Sequence, residues 1–287
     1  MFELVKKWCF LVILLVFSLQ TISQDNYVKY TSQPNYHIWF NHESHQNASS
    51  VKFQKELDNF VVQLKKKQHR YNELTFLRFL YFKVHRKYLK RYQTPSTLSD
   101  LYSNQRYDCL TGTALYSMIF HKLGIQHNIV ETTFHVYLTL NADGKNVILE
   151  STSPLDGFIT DPELAQETIT SYQQEGYQQE GNQNSWSGQD YYKPTDQVNQ
   201  IITLTELAGL QYFNQAVAAY NLKDLESAFD QMSKALSYYP SDRLKQMMVI
   251  MLNTISSNSS RYPHLEQDAY ARFGHLKQVP IANNSVK

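Results

Sequence analysis

Three side chains in the middle of the sequence are of types that together can carry out nucleophilic catalysis. Cys109, His135 and Glu150 follow one another within residues 107–155. A thiol attacks a carbonyl carbon as its thiolate, an imidazole holds and passes on a proton, and a carboxylate fixes the tautomer and orientation of the imidazole. The sequence therefore predicts acyl transfer through a thioester, provided that folding brings the three groups together.

The segment that begins at Cys109 is predicted to be a helix. Apolar residues recur at steps of three and four, and Gly124 follows where a helix commonly ends. Asp108 is suited to the N-cap, which places Cys109 in the first turn. Free backbone N–H groups and the positive end of the helix dipole favour a thiolate there. Gly112 and Thr113 share the face of Cys109 and are predicted to leave room for an approach to the sulfur.

Two strands joined by a turn are predicted after this helix, at residues 133–140 and 145–152. With the four residues between them (141–144) as the loop, the register places His135 directly opposite Glu150. Directly opposed residues have Cβ atoms roughly 4.5–5.5 Å apart, so a hydrogen bond from the imidazole to the carboxylate is expected. Alternation places the apolar residues on the other face, namely Phe134, Val136, Leu138, Val147 and Leu149.

Each of the three groups has a predicted role in the reaction. Cys109 attacks a carboxamide carbonyl, His135 pairs with the thiolate and then protonates the departing amine, and Glu150 orients the ring. The backbone N–H of Cys109 is the expected first donor to the oxyanion. Gln105 and Tyr107 are candidates for the second donor.

Two other histidines lie near the Cys helix in the sequence and are alternatives to His135 as the base. His121 is three turns along the helix from Cys109, roughly 18 Å by the rise per residue, which excludes it. His127 lies in the connection that follows the helix and remains an alternative, although it has no acid partner at strand spacing.

These residues resemble the core of the transglutaminase-like superfamily, a branch of the papain-like thiol enzymes. The family pattern is a Cys that opens a helix, a His on a following strand, and an acid on the next strand before small residues and a proline. Cys109, His135 and Glu150 occupy those positions, and Ser, Thr, Ser and Pro follow the acid. The family usually has Asp where this chain has Glu150, a difference that bears on the geometry of the site.

The resemblance implies both a fold and an activity. The fold is α+β, with a central Cys helix packed on an antiparallel sheet. The activity is that of a cysteine protease, an amidase or a transglutaminase-type acyltransferase working on a protein or peptide substrate.

The N-terminal residues 1–23 have the form of a signal peptide. Lys6 and Lys7 precede an apolar run, and small residues follow before Gln24. The apolar run is shorter than the ~20 residues that span a bilayer. We therefore expect an exported protein, periplasmic or secreted, that meets the membrane only transiently through this segment. An uncleaved membrane anchor is the alternative.

Removal of residues 1–23 leaves Cys109 as the one cysteine of the chain. An internal disulfide is then impossible, and a solitary thiol in an oxidising compartment calls for a functional explanation. The competing interpretation is that Cys109 is a small buried hydrophobic residue, as many free cysteines are.

Composition and the remaining motifs point away from other classes of function. The net charge of +1 gives no reason to expect a nucleic-acid partner. His37, His42 and His45 match no known zinc pattern, so we expect neither a metal nor another cofactor. Amphipathic helices are predicted at 49–68 and 72–92, and the second carries a basic face that is either solvated or receives an anionic substrate or membrane surface.

The chain is predicted to divide after a transglutaminase-like domain with N-terminal helices at 24–170. Residues 171–200 read as a low-complexity linker or flap, because Tyr-Gln-Gln-Glu-Gly occurs twice in tandem. Residues 201–256 resemble one tetratricopeptide repeat, an all-α helical hairpin that cannot bury its own face and is expected to dock on the first domain. Residues 257–287 read as a polar tail. The residues that carry the repeat-like spacing are Tyr212, Ala216, Ala228, Ala235 and Pro240.

Two functions of different classes follow. The first is a secreted thiol enzyme that hydrolyses amides or passes the acyl group to an amine. The second is a catalytically inactive scaffold that keeps the fold and binds a protein partner through the helical C-terminal segment.

Overall fold

A computed structural model describes residues 37–40, 48–178 and 198–278 of the chain. The predicted signal peptide, His42 and His45 lie outside the described residues, as does most of the predicted linker. Among the residues that are described, no helix is both long enough and apolar enough to cross a bilayer.

The described residues form helices around one main sheet. The helices are α1 His37–Phe40, α2 Ala48–Gln68, α3 Glu73–Lys87, α4 Leu98–Asn104, α5 Cys109–Leu123, α6 Pro162–Gln178, α7 Leu204–Asn221, α8 Leu225–Tyr238, α9 Asp242–Ser257 and α10 Pro263–Phe273, followed by a 3-10 turn at Gly274–Gln278. The strands are β1 Arg91–Tyr92, β2 Arg106–Tyr107, β3 Asn128–Thr132, β4 Val136–Ala142, β5 Lys145–Leu149, β6 Phe158–Ile159 and β7 Asn199–Ile202. The α+β class predicted from the sequence is confirmed.

The main sheet has the strand order β6-β5-β4-β3-β7, and every neighbouring pair is antiparallel. Neither β3 nor β7 was predicted. All five residues of β3 are buried, so this interior strand has no solvent-exposed face and lacks the alternation by which a half-buried strand is recognised. Strands β1 and β2 form a separate parallel pair just before the Cys helix.

The predicted register of the β4–β5 hairpin is wrong by two residues. Ala142 pairs with Lys145, and Leu138 pairs with Leu149. The loop therefore contains two residues, Asp143 and Gly144, which have φ of 50° and 77°. Positive φ at both positions is what a tight two-residue hairpin turn requires, and Asp-Gly is a favoured pair for it. Because the shift is an even number, each side chain within the paired strands keeps its predicted face.

The two faces of the sheet are covered by different helices. Val136, Leu138, Val147 and Leu149 belong to the main apolar core, into which α5 packs. Residues on the other face form a second apolar cluster against α6; they are Val130, Tyr137, Ile148 and Ile159, with Ala165, Ile169 and Tyr172 from the helix. Phe134 was predicted to face the main core but is 41% exposed, because it lies in the turn before β4 rather than in a strand.

The two N-terminal helices are present close to their predicted bounds. In α3 the predicted apolar stripe from Leu77 to Tyr88 is buried, and Asn72 caps the N-terminus through the N–H of Thr75. Tyr92, predicted as the end of that stripe, is 55% exposed. The helix stops earlier because the chain enters β1 and pairs with β2.

Helices α7 and α8 form a hairpin whose connection is only three residues long, 222–224. They approach each other closely at Gly209, where a Cβ atom would lie 2.5 Å from Cβ of Tyr239. Ala216, Ala228 and Ala235, the small residues singled out in the sequence, are fully buried there. A side chain larger than hydrogen at Gly209 would push the hairpin apart.

The C-terminal helices share one apolar core with the N-terminal part of the chain. Buried side chains of α7, α8 and α9 belong to the same cluster as those of α5, and α7 packs directly on α5. The predicted polar tail contains α10, whose Ala269 is fully buried, and Leu276 in the 3-10 turn is 9% exposed. Pro263 at the start of α10 suits a helix N-terminus.

Candidate active site

Cys109 is the first residue of α5 and is partly exposed to solvent. The predicted N-cap is present, since Asp108 accepts a hydrogen bond from the Thr111 N–H at 2.9 Å, and Thr111 Oγ1 accepts one from the Asp108 N–H at 2.9 Å. Asp108 also accepts from the Ser96 N–H at 2.9 Å. This buried carboxylate fixes the helix start and ties it to the segment before α4, so the position of the sulfur is well determined.

The local electrostatics of Cys109 differ from the expectation drawn from the helix dipole. Burial raises the pKa of the thiol, and the hydrogen bond and positive charge of His135 lower it only in part. The net direction is upward. The helix N-terminus therefore does not by itself produce a thiolate, and the imidazole is the group that favours one.

His135 lies in the turn between β3 and β4 rather than within a strand. Its backbone is held by Thr132, whose N–H donates to the His135 carbonyl at 2.8 Å and whose Oγ1 accepts from the His135 N–H at 3.1 Å. The ring is hydrogen-bonded to Glu150 and lies near the Cys109 thiol, with which it interacts electrostatically. Since Nε2 donates to Glu150, Nδ1 is the nitrogen left for the thiol.

The pKa of His135 reflects its two partners. Burial by itself lowers this pKa, but the hydrogen bonds to Cys109 and Glu150, together with the charges of those two groups, raise it to about 10. At neutral pH the ring is therefore an imidazolium placed between a thiol and a carboxylate, which is the arrangement that stabilises a thiolate once it forms.

Glu150 follows the last residue of β5 and is 3% exposed. Its Oε2 accepts from His135 Nε2 and, at 2.8 Å, from the Tyr172 hydroxyl. Its Oε1 accepts from the N–H and Oγ1 of Thr152, both at 2.7 Å. Burial acts to raise the pKa of this carboxyl, but the hydrogen bonds and charge of its partners outweigh burial and lower it. The carboxylate is thus ionised and satisfied on both oxygens.

The corrected register explains why Glu occupies this position. Continuing the pairing of Leu138 with Leu149 places Tyr137, not His135, opposite Glu150. His135 is then a diagonal neighbour, and diagonal neighbours lie roughly 7–8 Å apart. The extra methylene of Glu relative to Asp supplies reach for this diagonal contact. The predicted pairing of the imidazole with the carboxylate is therefore present, by a different route from the one expected.

Tyr172 is a site residue that sequence reasoning missed. Its ring lies on the His135 ring, with centroids 4.4 Å apart and planes inclined by 32°, and its hydroxyl binds Glu150. The residue was assigned to the predicted linker because it opens the Tyr-Gln-Gln-Glu-Gly repeat, whereas α6 continues through it. The signal that was available is the spacing of Ala165, Ile169 and Tyr172, which marks one face of a helix.

The backbone of Glu150 is fixed from behind by two further residues. Tyr81 of α3 donates its hydroxyl to the Glu150 carbonyl at 3.0 Å and also to the Ser153 carbonyl, and the Glu150 N–H donates to the Gly157 carbonyl at 2.7 Å. At Gly157 a Cβ atom would lie 2.2 Å from the Glu150 carbonyl oxygen. The loop after β5 therefore closes against the main chain of Glu150 only because residue 157 has no side chain.

The space beside Gly112 is not open, contrary to the prediction. A Cβ atom there would lie 2.6 Å from Ser151 Oγ. The small residue lets the Cys helix approach the chain beside Glu150, so it serves packing rather than substrate access.

The two candidates for a second oxyanion donor differ in placement. Gln105 is the left-handed C-cap of α4, and its amide donates to the Lys87 carbonyl at 3.4 Å, so this side chain is engaged elsewhere. Tyr107 lies in β2, two residues before Cys109, with its ring buried against Tyr92.

His127, the alternative base, is engaged elsewhere. Its Nε2 lies 2.8 Å from Ser117 Oγ and its Nδ1 lies 3.0 Å from the Ile125 carbonyl. Ser117 is eight residues along α5 from Cys109, or about 12 Å by the rise per residue. His135 is therefore the imidazole that the fold brings to the thiol.

Comparison with known proteins returns no match of any of three kinds: no protein-family model, no curated protein and no solved structure matches this chain. In the described ranges, no group of three or more His, Cys, Asp or Glu side chains is arranged to hold a metal ion.

Proposed function

We propose that this protein is an exported thiol enzyme that transfers acyl groups from amides through a Cys109 thioester. The observation that carries the proposal is the placement of the His135 ring beside the Cys109 thiol and in a hydrogen bond with Glu150. Three chemically suitable groups from a helix start, a turn and a strand end meet in the order that nucleophilic acyl transfer requires.

The reaction begins when the Cys109 thiol, whose pKa is raised, loses its proton to solvent, which leaves a thiolate beside the His135 imidazolium. The Cys109 thiolate attacks the amide carbonyl carbon, and the carbonyl π electrons move onto oxygen, where the Cys109 backbone N–H donates a hydrogen bond. His135 passes its Nδ1 proton to the amine as the C–N bond breaks, which leaves a thioester and a neutral imidazole. Water or a primary amine then attacks the thioester, His135 takes the proton from this nucleophile, and the carbonyl–sulfur bond breaks to regenerate the thiolate.

Glu150 supports this cycle without itself changing protonation state. It binds Nε2 and so directs Nδ1 to the sulfur, and its negative charge stabilises the imidazolium that the first step needs. Hydrogen bonds from Thr152 and Tyr172 keep the carboxylate ionised in its buried position.

We further propose that the fold is that of the transglutaminase-like superfamily, in its papain-like form. Support comes from the order of the Cys helix and the two following strands, and from the packing of α5 on the antiparallel sheet. The α7–α8 hairpin is proposed to be tetratricopeptide-like, on the basis of its short connection and its small buried residues. A protein or peptide is the proposed substrate.

The decisive experiment treats purified protein beginning at Gln24 with a peptide library, with and without a primary amine. Hydrolysis is expected to release ammonia or an amine from the substrate, and transamidation to add the mass of the supplied amine. Cys109→Ser and His135→Ala should abolish both signals, while His264→Ala, an exposed residue of α10, should not. Activity that survives Cys109→Ser would refute the thioester.

A second function is favoured by one specific observation. The net upward pKa of the Cys109 thiol suits an inactive scaffold, in which the fold is kept for binding a protein partner. Iodoacetamide labelling separates the two functions. Labelling of the folded protein at neutral pH that slows in His135→Ala supports the enzyme, whereas a thiol that reacts only after unfolding supports the scaffold.

Export is proposed from the sequence of residues 1–23. Expression of the full-length chain in a cell with a secretory pathway should give a mature product that starts at Gln24. A product that keeps Met1 and sediments with membranes would indicate the uncleaved anchor instead.

A further inference from the structure

We propose that Arg243, in the first turn of α9, is a positioning residue for His135, an inference that rests on the proposed function. Its guanidinium makes two directed bonds: Nη2 to Glu131 Oε1 at 2.6 Å and Nη1 to the Thr133 carbonyl at 2.9 Å. Both acceptors lie at the end of β3, where the turn to His135 begins. A helix of the C-terminal part of the chain thus holds the turn that carries the candidate base.

The connection from the guanidinium to the imidazole passes through one residue. Thr132 lies between the two acceptors, and it binds both the N–H and the carbonyl of His135. Thr133 is held a second time, because its Oγ1 accepts from the Val198 N–H at 3.0 Å. With Glu131 and Thr133 both fixed, the Thr132 backbone has little freedom, and neither has the backbone of His135.

Arg243 acts on this turn through geometry rather than through net charge. The Arg243 side chain is 12% exposed and that of Glu131 is 1% exposed. The two opposite charges therefore neutralise each other in a site that solvent barely reaches. The other oxygen of Glu131 accepts from Gln200 Nε2 at 3.1 Å and from the Tyr239 hydroxyl. A fully bonded carboxylate of this kind gives the guanidinium a rigid partner.

The planar fork of arginine is what the arrangement needs. One guanidinium reaches a carboxylate and a carbonyl in different directions, while the ammonium of lysine is a single point on a flexible stem. Arg243→Lys therefore keeps the ion pair with Glu131 and gives up the bond to the Thr133 carbonyl. This variant therefore measures the effect of the bond to the Thr133 carbonyl separately from the ion pair.

The consequence is that the candidate site is complete only when α9 is docked. The C-terminal helical hairpin is expected from the sequence to dock on the first domain, and the helix that follows it contributes a side chain that holds the His135 turn. Displacements of about 1 Å in a reacting group cost on the order of 10²-fold in rate, so even a small relaxation of the turn has a measurable effect.

The experiment compares Arg243→Lys and Arg243→Gln with a matched control, Leu252→Ala, which opens a cavity in the same helix away from the turn. Two quantities are measured on folded protein at neutral pH: hydrogen exchange of the amides of residues 131–136, and the rate of Cys109 alkylation by iodoacetamide. In both Arg243 variants we expect faster exchange of the His135 amide and alkylation slowed about tenfold. Leu252→Ala should lower the melting temperature and leave both quantities unchanged.

The outcomes that overturn the inference differ from those that overturn the proposed function. Unchanged exchange at His135 in folded Arg243→Gln would show that the arginine does not hold the turn. Changed exchange with an unchanged alkylation rate would reduce Arg243 to a structural role. If wild-type Cys109 instead resists alkylation until the protein unfolds, the proposed function fails, and the exchange measurement alone still decides whether Arg243 fixes the turn.

Discussion

At the scale of single residues, the candidate site depends on side chains that reach one another from different backbone positions. His135 touches a helix start, a strand end and a second helix at once. Glu150 bonds through both oxygens. Since each contact depends on side-chain length, conservative substitutions at these positions are informative.

Glu150→Asp is expected to impair the site even though it restores the residue usual in the family. A shorter side chain cannot bridge the diagonal to His135 and also keep the bond from Tyr172. Losing a hydrogen bond to a charged group costs about 1.5–3 kcal/mol, which corresponds to a loss of about 10- to 100-fold in kcat/KM. Steady-state kinetics on the substrate found in the library would measure it, with Glu163→Asp on the exposed start of α6 as the control. Full activity of Glu150→Asp would contradict the diagonal geometry.

Tyr172→Phe and Tyr172→Ala separate the two contacts of this side chain. Phe keeps the ring on His135 and removes the hydroxyl from Glu150, so the pKa of the carboxyl should rise and the acid limb of the pH–rate profile should move to higher pH. Ala also uncovers the imidazole and should lower kcat further. The pH dependence of kcat for both variants tests this, and coincident profiles for Tyr172→Phe and the wild type would rule out a role for the hydroxyl.

His85 should make the protein less stable in mild acid. Its ring is buried, neither nitrogen has a hydrogen-bond partner among the residues that the structure describes, and burial lowers its pKa to about 4. The unfolded chain takes up a proton near pH 6.5 and the folded chain does not. Stability is therefore lost as pH falls from about 6.5 towards 4, by at most about 3 kcal/mol.

Urea unfolding at pH 7 and pH 5 measures this effect. His85→Leu should reduce the difference between the two values, whereas His264→Leu, at an exposed position, should not. The pKa of the buried His127 is also lowered to about 4, so the stability of His85→Leu should still depend on pH to some extent. If the stability of His85→Leu depends on pH as strongly as that of the wild type, His85 is not the cause of the acid sensitivity.

At the scale of elements, the loop between β5 and β6 is the part that fixes the acid. Tyr81 of α3 and the main chain of Gly157 hold the backbone of Glu150. This explains why α3, which carries no candidate catalytic residue, still contributes to the site.

Gly157→Ala is expected to disturb both the loop and the site. The added Cβ would collide with the Glu150 carbonyl and with the Tyr81 hydroxyl, at 2.2 and 2.4 Å. Overpacking of this kind typically costs about 1–3 kcal/mol, and displacement of Glu150 should lower kcat as well. Gly274→Ala is the matched control, because its Cβ would meet nothing closer than 3.5 Å. The melting temperature and kcat of the two variants test this prediction. Equal values for Gly157→Ala and Gly274→Ala would contradict the close contact between residue 157 and the Glu150 carbonyl.

At the scale of the whole molecule, the C-terminal helices are joined to the rest through buried polar contacts as well as through the apolar core. Trp39 donates its ring N–H to the Leu204 carbonyl, and the Leu98 N–H donates to Gln211 Oε1, both at 3.2 Å. Together with Arg243, these bonds run from α7 and α9 to the N-terminal helices and the sheet.

Truncation after residue 198 should therefore prevent folding rather than release an active domain. The surfaces of α5 and of the α1–α4 region that face α7 would be exposed to water. Expression of residues 24–198 should give insoluble protein, or soluble protein with no cooperative thermal transition by circular dichroism. A soluble, cooperatively folded and active fragment would show that the two parts are independent domains.

The sequence by itself determined the features that depend on near neighbours. Asp108 was recognisable as the cap that starts the Cys helix. Period-two alternation assigned the paired strand residues to their faces, and the order of thiol, imidazole and acid was readable from residue types. These are local signals, because caps, turns and periodicity act over a few residues.

Only the tertiary structure decided what depends on distant parts of the chain meeting. The register shifted by two because a two-residue turn formed, and the interior strand β3 carried no alternation to recognise. Tyr172 and Arg243 reached the site from helices 37 and 108 positions beyond His135. Sequence spacing carries no information about which helix packs over which turn. That choice is made when apolar faces are buried against each other across the whole fold.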